Sequence, residues 1–258
     1  MSFYHIRQER ATLDVSIIVP LKDEEDNVRE LADEISEIMR RMDMTWECLW
    51  IDDGSQDGTM SALHEIHRLD FRHRYISLRR NFGQSAALAV GFSNARGKIF
   101  LTMDGDGQND PKDIPHMIET LVVQQCQMVQ GWRRNRNDRF IRRISSRIAN
   151  GFRNLATRDY TRDVGCSMRA FRRECVANMM VFKGMHRFLP MLVRMNGYPS
   201  IVEIPVHHRP RRRGETKYGI RNRLFVGLKD TYGVLWMKSR IVSPEARVSS
   251  PEQEKKEE

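Results

Sequence analysis

No run of apolar residues in this chain approaches the roughly 20 that a membrane-spanning helix needs, and residues 1–10 lack the apolar core of a secretory signal. These absences predict a cytoplasmic protein that crosses no bilayer. The four cysteines, Cys48, Cys126, Cys166 and Cys175, show neither a Cys-x-x-Cys pair nor a zinc-ligand spacing, so reduced packing residues are expected. His64 and His67 share a helix face but have no third ligand in sequence reach, and His207 and His208 adjoin a basic loop, so no zinc site is predicted. Nothing resembles the stacking aromatics of an RNA-binding module, which counts against nucleic acid as a partner. No internal repeat is present.

What the chain does have is positive charge: 43 lysines and arginines against 34 acids, for a formal net charge of +9. Arginine supplies most of the excess from Arg133 onward. A basic surface implies an anionic partner, and composition does not choose among nucleic acid, a phospholipid surface and a phosphate-bearing substrate. With 258 residues, 40% of them hydrophobic, a single α/β domain with C-terminal elaborations is expected.

The first half alternates short β-branched runs with helical patterns, the signature of βαβ units feeding a parallel sheet. Strands are predicted over 15–21, 46–52, 75–78, 99–103, 128–132 and 201–206. Val28, Leu31, Ile35, Ile38 and Met42 recur at three- and four-residue steps, which predicts a helix over 27–42 with one apolar face. Further helices are expected over 59–69 and 84–95, and Pro111 suits the first turn of another. Amphipathic helices are predicted over 138–157 and 224–237, and a disordered polar tail over 243–258.

In an open parallel sheet, ligands bind beyond the carboxyl ends of the strands, where loops and helix N-termini converge. Polar residues pile up there. Lys22, Asp23 and Glu24 follow the first strand, Asp52 and Asp53 end the second, Arg80 and Asn81 follow the third, and Asp104 and Asp106 follow the fourth. Asp104-Gly105-Asp106 puts two carboxylates on one side of an extended segment, with a glycine that lets the backbone approach a ligand. Such a pair can share a hard cation, Mg²⁺ or Mn²⁺, with Gln108 adding an oxygen. Alone the pair also fits a solvated acidic turn; its place in line with Asp52 and Asp53 favours a metal and diphosphate role. Asp57 and Thr59 are expected to cap the following helix.

Four segments, Ser16-Ile17-Ile18-Val19-Pro20, Asp52-Asp53-Gly54-Ser55-Gln56-Asp57-Gly58-Thr59, Asn81-Phe82-Gly83-Gln84-Ser85-Ala86-Ala87 and Asp104-Gly105-Asp106-Gly107-Gln108, together resemble the family 2 inverting glycosyltransferases of the GT-A fold. Within it the chain is most similar to the polyprenyl-phosphate glycosyltransferases, the dolichol-phosphate mannose synthase group. Asp163-Val164-Gly165-Cys166-Ser167-Met168-Arg169 and the segment Arg209 to Tyr218, which resembles that group's R-x-x-G-x-S-K-Y pattern, narrow the match. The resemblance covers roughly residues 14–237. Thr216 stands where the pattern has serine, and the transmembrane hairpin of many members is lacking, which leaves the mode of membrane attachment open.

The resemblance implies a GT-A sheet over residues 14–219, preceded by an extension (1–13) and followed by an amphipathic helix (220–240) and a tail (241–258). It implies nucleotide-sugar contacts from Pro20, Lys22, Glu24, Ile51, Asp53, Asp104 and Gly105. Metal and diphosphate contacts are implied from Asp104, Asp106 and Gln108, with Arg133, Arg211 and Lys217 on phosphate oxygens. Asp163 is the candidate base or acceptor-orienting residue; its alternative is pairing with Arg162 or Arg169. The expected reaction moves a sugar from a UDP- or GDP-sugar to a polyprenyl phosphate, with the protein peripheral on the cytoplasmic membrane face and a homo-oligomer left open. A hydroxyl acceptor on a growing glycan and a non-catalytic basic binding module are the competing readings.

Overall fold

A computed structural model describes residues 5–8, 10–134, 161–210, 231–236 and 239–240. Seven strands form one sheet: β1 (Leu13–Leu21), β2 (Trp46–Asp52), β3 (His73–Ser77), β4 (Gly97–Thr102), β5 (Met128–Arg133), β6 (Arg169–Arg172) and β7 (Ile201–Val206). Their order across the sheet is β3-β2-β1-β4-β6-β5-β7. The helices are α1 (Glu25–Arg40), α2 (Thr59–Leu69), α3 (Gln84–Asn94), α4 (Ile114–Val123) and α5 (Leu189–Met195).

The predicted parallel strands are all present, and the register aligns Leu21 of β1 with Asp52 of β2, so their polar ends meet. One strand was not foreseen. β6 inserts antiparallel between β4 and β5, pairing Thr102 with Arg169 and Gln130 with Arg169. Four residues are too few for an alternation pattern to stand out from a loop. The insertion brings the Asp163 to Arg169 segment beside the end of β4.

Two apolar layers sandwich the sheet. Val28, Leu31 and Ile35 of α1, with Leu63 of α2 and Met117 of α4, cover one face over Ile17, Val19 and Trp50. Ile38 and Met42 pack there only partly buried, and α1 stops at Arg40. On the other face, Leu88 and Phe92 of α3 and Leu192 of α5 cover Ile18, Leu49 and Ile51. The small residues of α3 have a packing reason. A Cβ at Gly91 would stand 2.5 Å from Ile18 Cγ2, so α3 lies on β1 closer than any larger side chain permits.

All four cysteines are buried free thiols. Among the described residues, no helix is long and apolar enough to cross a membrane. The predicted helix over 138–157 and the tail over 243–258 lie outside the described residues. Of the predicted helix over 224–237, residues 231–236 are described and are helical; Val234 is buried there, while Tyr232 and Trp236 are exposed.

His73, the first residue of β3, is buried between α1 and β2. Its Nδ1 accepts the Trp50 indole N–H (3.2 Å), and its Nε2 lies 2.7 Å from the Ser36 hydroxyl. Burial pushes the ring down to about 4 from 6.5. The folded state therefore resists a proton that the unfolded chain accepts. The stability this represents is complete above pH 6.5 and is lost as the pH falls from 6.5 towards 4, a span of about 3 kcal/mol. Asp104, raised to about 6, acts in the opposite sense over the same window, so the loss is expected as the difference between the pH slopes of urea unfolding, from pH 7.5 to 4, of the unaltered chain and of His73→Gln. His186, held at about 3 by burial, leaves a residual slope. An unchanged slope in the variant would refute the assignment.

Candidate active site at the carboxyl edge of the sheet

The β1–α1 and β2–α2 loops are laced together by their own acids. Asp23 accepts Gln56 N–H (2.8 Å), and its backbone N–H donates to Ser55 Oγ (2.8 Å). Glu25 accepts Gly58 N–H (2.6 Å); Gly58, not Asp57 or Thr59 as expected, is the N-cap of α2, and Asp57 instead accepts the N–H of Thr59, the first helical residue, at 3.0 Å. Glu24, buried, accepts Asn27 Nδ2 (2.6 Å), and its N–H donates to Thr59 Oγ1 (2.9 Å). Lys22 pairs with Asp23 at 2.9 Å, and that hydrogen bond, with the nearby charges of Asp53 and Asp52, raises its pKa.

Asp52 and Asp53 differ in what they hold. Asp52 accepts Ser55 N–H (3.1 Å) and the Ser77 hydroxyl (3.1 Å), tying its own turn to β3. Asp53 accepts Phe82 N–H (2.7 Å) and Gly83 N–H (2.8 Å), one on each carboxylate oxygen. Gly54, at φ +70°, makes this close approach possible, because a Cβ there would stand 2.6 Å from the Arg80 carbonyl carbon. Pro20 lies beside Ile51 in the β1–β2 register. The Ile51 side chain is fully enclosed under α3. Only its backbone remains for the nucleotide contact expected of it, since alternation along β2 turns the side chain into the core.

Asp104, Gly105 and Asp106 occupy a turn rather than the extended segment expected from the sequence. Gly107 at φ +72° allows the chain to turn back, and Gly105 packs on the end of β1, where a Cβ would meet Leu21 Cβ at 2.8 Å. The two carboxylates remain close enough to interact. Burial first, then the charge of Asp106, pushes Asp104 up to about 6, while Ser167, Arg169 and Arg133 pull the other way. Asn109, buried, accepts both the Asp104 N–H (2.8 Å) and the Ser167 hydroxyl (2.9 Å), fixing the turn to the strand beside it. Gln84 Nε2 donates to Asp104 Oδ1 at 2.9 Å. Gln108 donates its N–H to Asp106 Oδ1 (3.2 Å), and its amide lies 3.4 Å from His208.

This donor set fits a hard cation. Two crowded carboxylates, one desolvated, repel each other until a positive charge joins them, and Mg²⁺ or Mn²⁺ takes one or two protein carboxylates plus water and phosphate oxygens. Among the described residues no group of three or more potential ligands clusters, so the protein alone does not form a closed cage.

Arg133 and Asp163 form a two-pronged pair at this edge. Arg133 Nε and Nη2 meet the two Asp163 oxygens at 2.7 and 2.9 Å, and the Arg133 N–H adds a third bond at 3.3 Å. Asp163 thus pairs neither with Arg162, whose partner is Glu203, nor with Arg169. Arg169 is buried and rests on neutral acceptors, Gln130 Oε1 (2.7 Å) and the Val164 carbonyl (2.8 Å). Gln130 in turn donates to the carbonyls of Gly131 (2.8 Å), Asp163 and Cys166 (both 3.3 Å). Pairing across the sheet decided these partners, and nothing in the spacing announced them.

Lys22, Glu24, Asp53, Asp104, Gly105, Asp106, Gln108 and Asp163, on loops, and Arg133, the last residue of β5, therefore sit at one edge of the sheet. Arg211 and Lys217 lie outside the described residues. Three residues not singled out from the sequence contribute here: Gln84, Asn109 and Ser167. Each stood inside or next to a recognised segment, but a buried amide or hydroxyl has no sequence signature until its partner is known.

Comparison with known proteins accounts for this arrangement. The glycosyl transferase family 2 profile matches residues 16–179. The chain is 38% identical over 229 residues to the dodecaprenyl-phosphate galacturonate synthase of Rhizobium johnstonii, covering 87% of this chain and 67% of that protein. It is 34% identical over 207 residues to the undecaprenyl-phosphate 4-deoxy-4-formamido-L-arabinose transferase of Edwardsiella ictaluri, covering 80% of this chain and 63% of that one. The chain thus spans about two thirds of the length of these curated relatives. A crystal structure of glucosyl-3-phosphoglycerate synthase from Mycobacterium tuberculosis, with Mn²⁺, UDP-glucose and phosphoglyceric acid, superposes with a TM-score of 0.65 at 17% identity, covering 90% of this chain and 81% of that one. At that identity the likeness shows the shared GT-A fold. With its sheet order, its strand-end acids and these relatives, the chain belongs to glycosyl transferase family 2.

Proposed function

We propose that this protein transfers a sugar from a UDP- or GDP-sugar to a polyprenyl phosphate, with inversion, at the cytoplasmic face of a membrane. The observation that carries the choice of acceptor is the Arg133–Asp163 clamp. A hydroxyl acceptor needs a general base, and Asp163, the candidate base or acceptor-orienting residue, has both oxygens engaged by the Arg133 guanidinium, which leaves it placed to orient rather than to take a proton. A phosphate monoester arrives already anionic and needs positioning instead. The names of the two curated relatives, both polyprenyl-phosphate enzymes, support the same reading.

In this mechanism an oxygen of the lipid phosphate attacks the anomeric carbon from the side opposite the leaving group. The bond from that carbon to the nucleoside diphosphate breaks, and the configuration inverts. Mg²⁺ or Mn²⁺, held by Asp104 and Asp106 with Gln108 beside them, would supply Lewis-acid neutralisation of the departing diphosphate. Lys22, Glu24, Asp53 and the backbone at Pro20, Ile51 and Gly105 line the donor side. Arg133, steered by Asp163, and Arg211 and Lys217 bind phosphate oxygens, guanidinium by a two-pronged contact and ammonium as a point charge. Exposed Tyr232 and Trp236, with Arg240 over the Trp236 ring, suit the interfacial zone of an anionic bilayer.

Three measurements test this. Asp104→Asn and Asp106→Asn are each expected to abolish Mn²⁺-dependent nucleotide binding, measured by calorimetry; unchanged binding in both would remove the enzymatic reading. Arg211→Ala and Lys217→Ala are expected to cut transfer to polyprenyl phosphate at least 100-fold while nucleotide binding survives, and transfer indifferent to both would favour a glycan hydroxyl. The protein is expected to sediment with anionic liposomes and to stay in the supernatant with neutral ones; equal partitioning would count against surface attachment.

A further inference from the structure

The β3–α3 loop touches both halves of the site. Asp53, at the end of β2, takes the N–H groups of Phe82 and Gly83 on its two oxygens, and the next residue, Gln84, places its amide on Asp104 Oδ1 at 2.9 Å. Gly54 admits this loop because no side chain fits between its Cα and the Arg80 backbone. Gln84 is also the first residue of α3, a helix packed hard on β1 through Gly91, so its backbone has little room to move. Three consecutive residues therefore connect a strand-end carboxylate on β2 to the carboxylate after β4, across the intervening β1.

From this geometry we infer that Gln84 is a positioning residue for the cation: it orients Asp104, and Asp53 holds Gln84 in place to do so. The inference rests on the cation reading above and extends it to two residues outside the coordination sphere. An amide that donates to one lone pair of Asp104 Oδ1 fixes the carboxylate plane and leaves its remaining lone pairs to the metal. Outer hydrogen bonds of this kind change metal affinity by roughly 10–100-fold when removed. Asn109 fixes the backbone of the same turn, and Ser167, which also acts on the Asp104 carboxyl, steadies it from the other side, so Gln84 shares in setting the rotation of the side chain.

The test reads metal binding without catalysis. Free Mn²⁺ is counted by electron paramagnetic resonance while the full chain is titrated, in the absence of nucleotide. Gln84→Met keeps the length and loses the donor; Gln84→Asn keeps the amide but falls one methylene short. Both are expected to weaken Mn²⁺ binding roughly 10–100-fold with the melting temperature of the metal-free protein unchanged. Asp53→Asn is expected to weaken it in the same direction, and the double variant Gln84→Met with Asp53→Asn to bind no more weakly than the worse single one, because the two act in series. Mn²⁺ binding equal to the unaltered chain in either Gln84 variant overturns the inference, as does a fall in melting temperature that accounts for the loss. Additive losses in the double variant overturn the part assigned to Asp53. If the unaltered chain alone binds no Mn²⁺, the same titrations are run with UDP or GDP present to supply phosphate oxygens; no binding there either means that the cation reading fails and takes the inference with it, an outcome distinct from all the others.

Discussion

Two like charges held close together at a partly desolvated strand end are the constraint around which this edge of the sheet is arranged. Asp104 and Asp106 raise each other's cost, and burial adds to it, as the upward shift of Asp104 to about 6 records. Left to themselves, such groups turn out to water. Here Gln84, Asn109 and Ser167 fix the turn with hydrogen bonds, Gly105 seats it on Leu21, and the guanidiniums of Arg133 and Arg169 supply an opposing field. The carboxylates are thereby kept where a cation would find them, at a cost borne by the surrounding core rather than by the ligand.

Acidity along this edge divides into two kinds. Asp23, Glu25, Asp52 and Asp57 are largely spent on backbone N–H groups and hydroxyls of neighbouring loops, and they make the edge rigid. Among the described residues, Asp104 and Asp106 share their negative charge without a carboxylate-to-cation bridge. Asp53 stands between these kinds, since both its oxygens already serve the β3–α3 loop. A count of acids at strand ends would treat all of them alike; the hydrogen bonds separate scaffold from ligand.

The basic residues follow a similar division. Arg133 is aimed by Asp163, and Arg169 is buried on neutral acceptors beneath the site, an arrangement that retains its positive field. Among the described residues, the guanidiniums of Arg133 and Arg169 lie close enough to the acidic pair to act on Asp104.

Hydrophobic periodicity and the placement of polar residues after strands were enough to reveal the βαβ succession, the face that α1 buries, and the edge where chemistry concentrates, because these depend on local spacing and on the handed regularity of parallel sheets. The antiparallel β6, the partner of Asp163, the enclosure of Ile51 and the contact of Gln84 with Asp104 were decided by tertiary structure. Each depends on which strand lies beside which, and residues 20 or 30 positions apart carry no mark of their pairing until the sheet has closed.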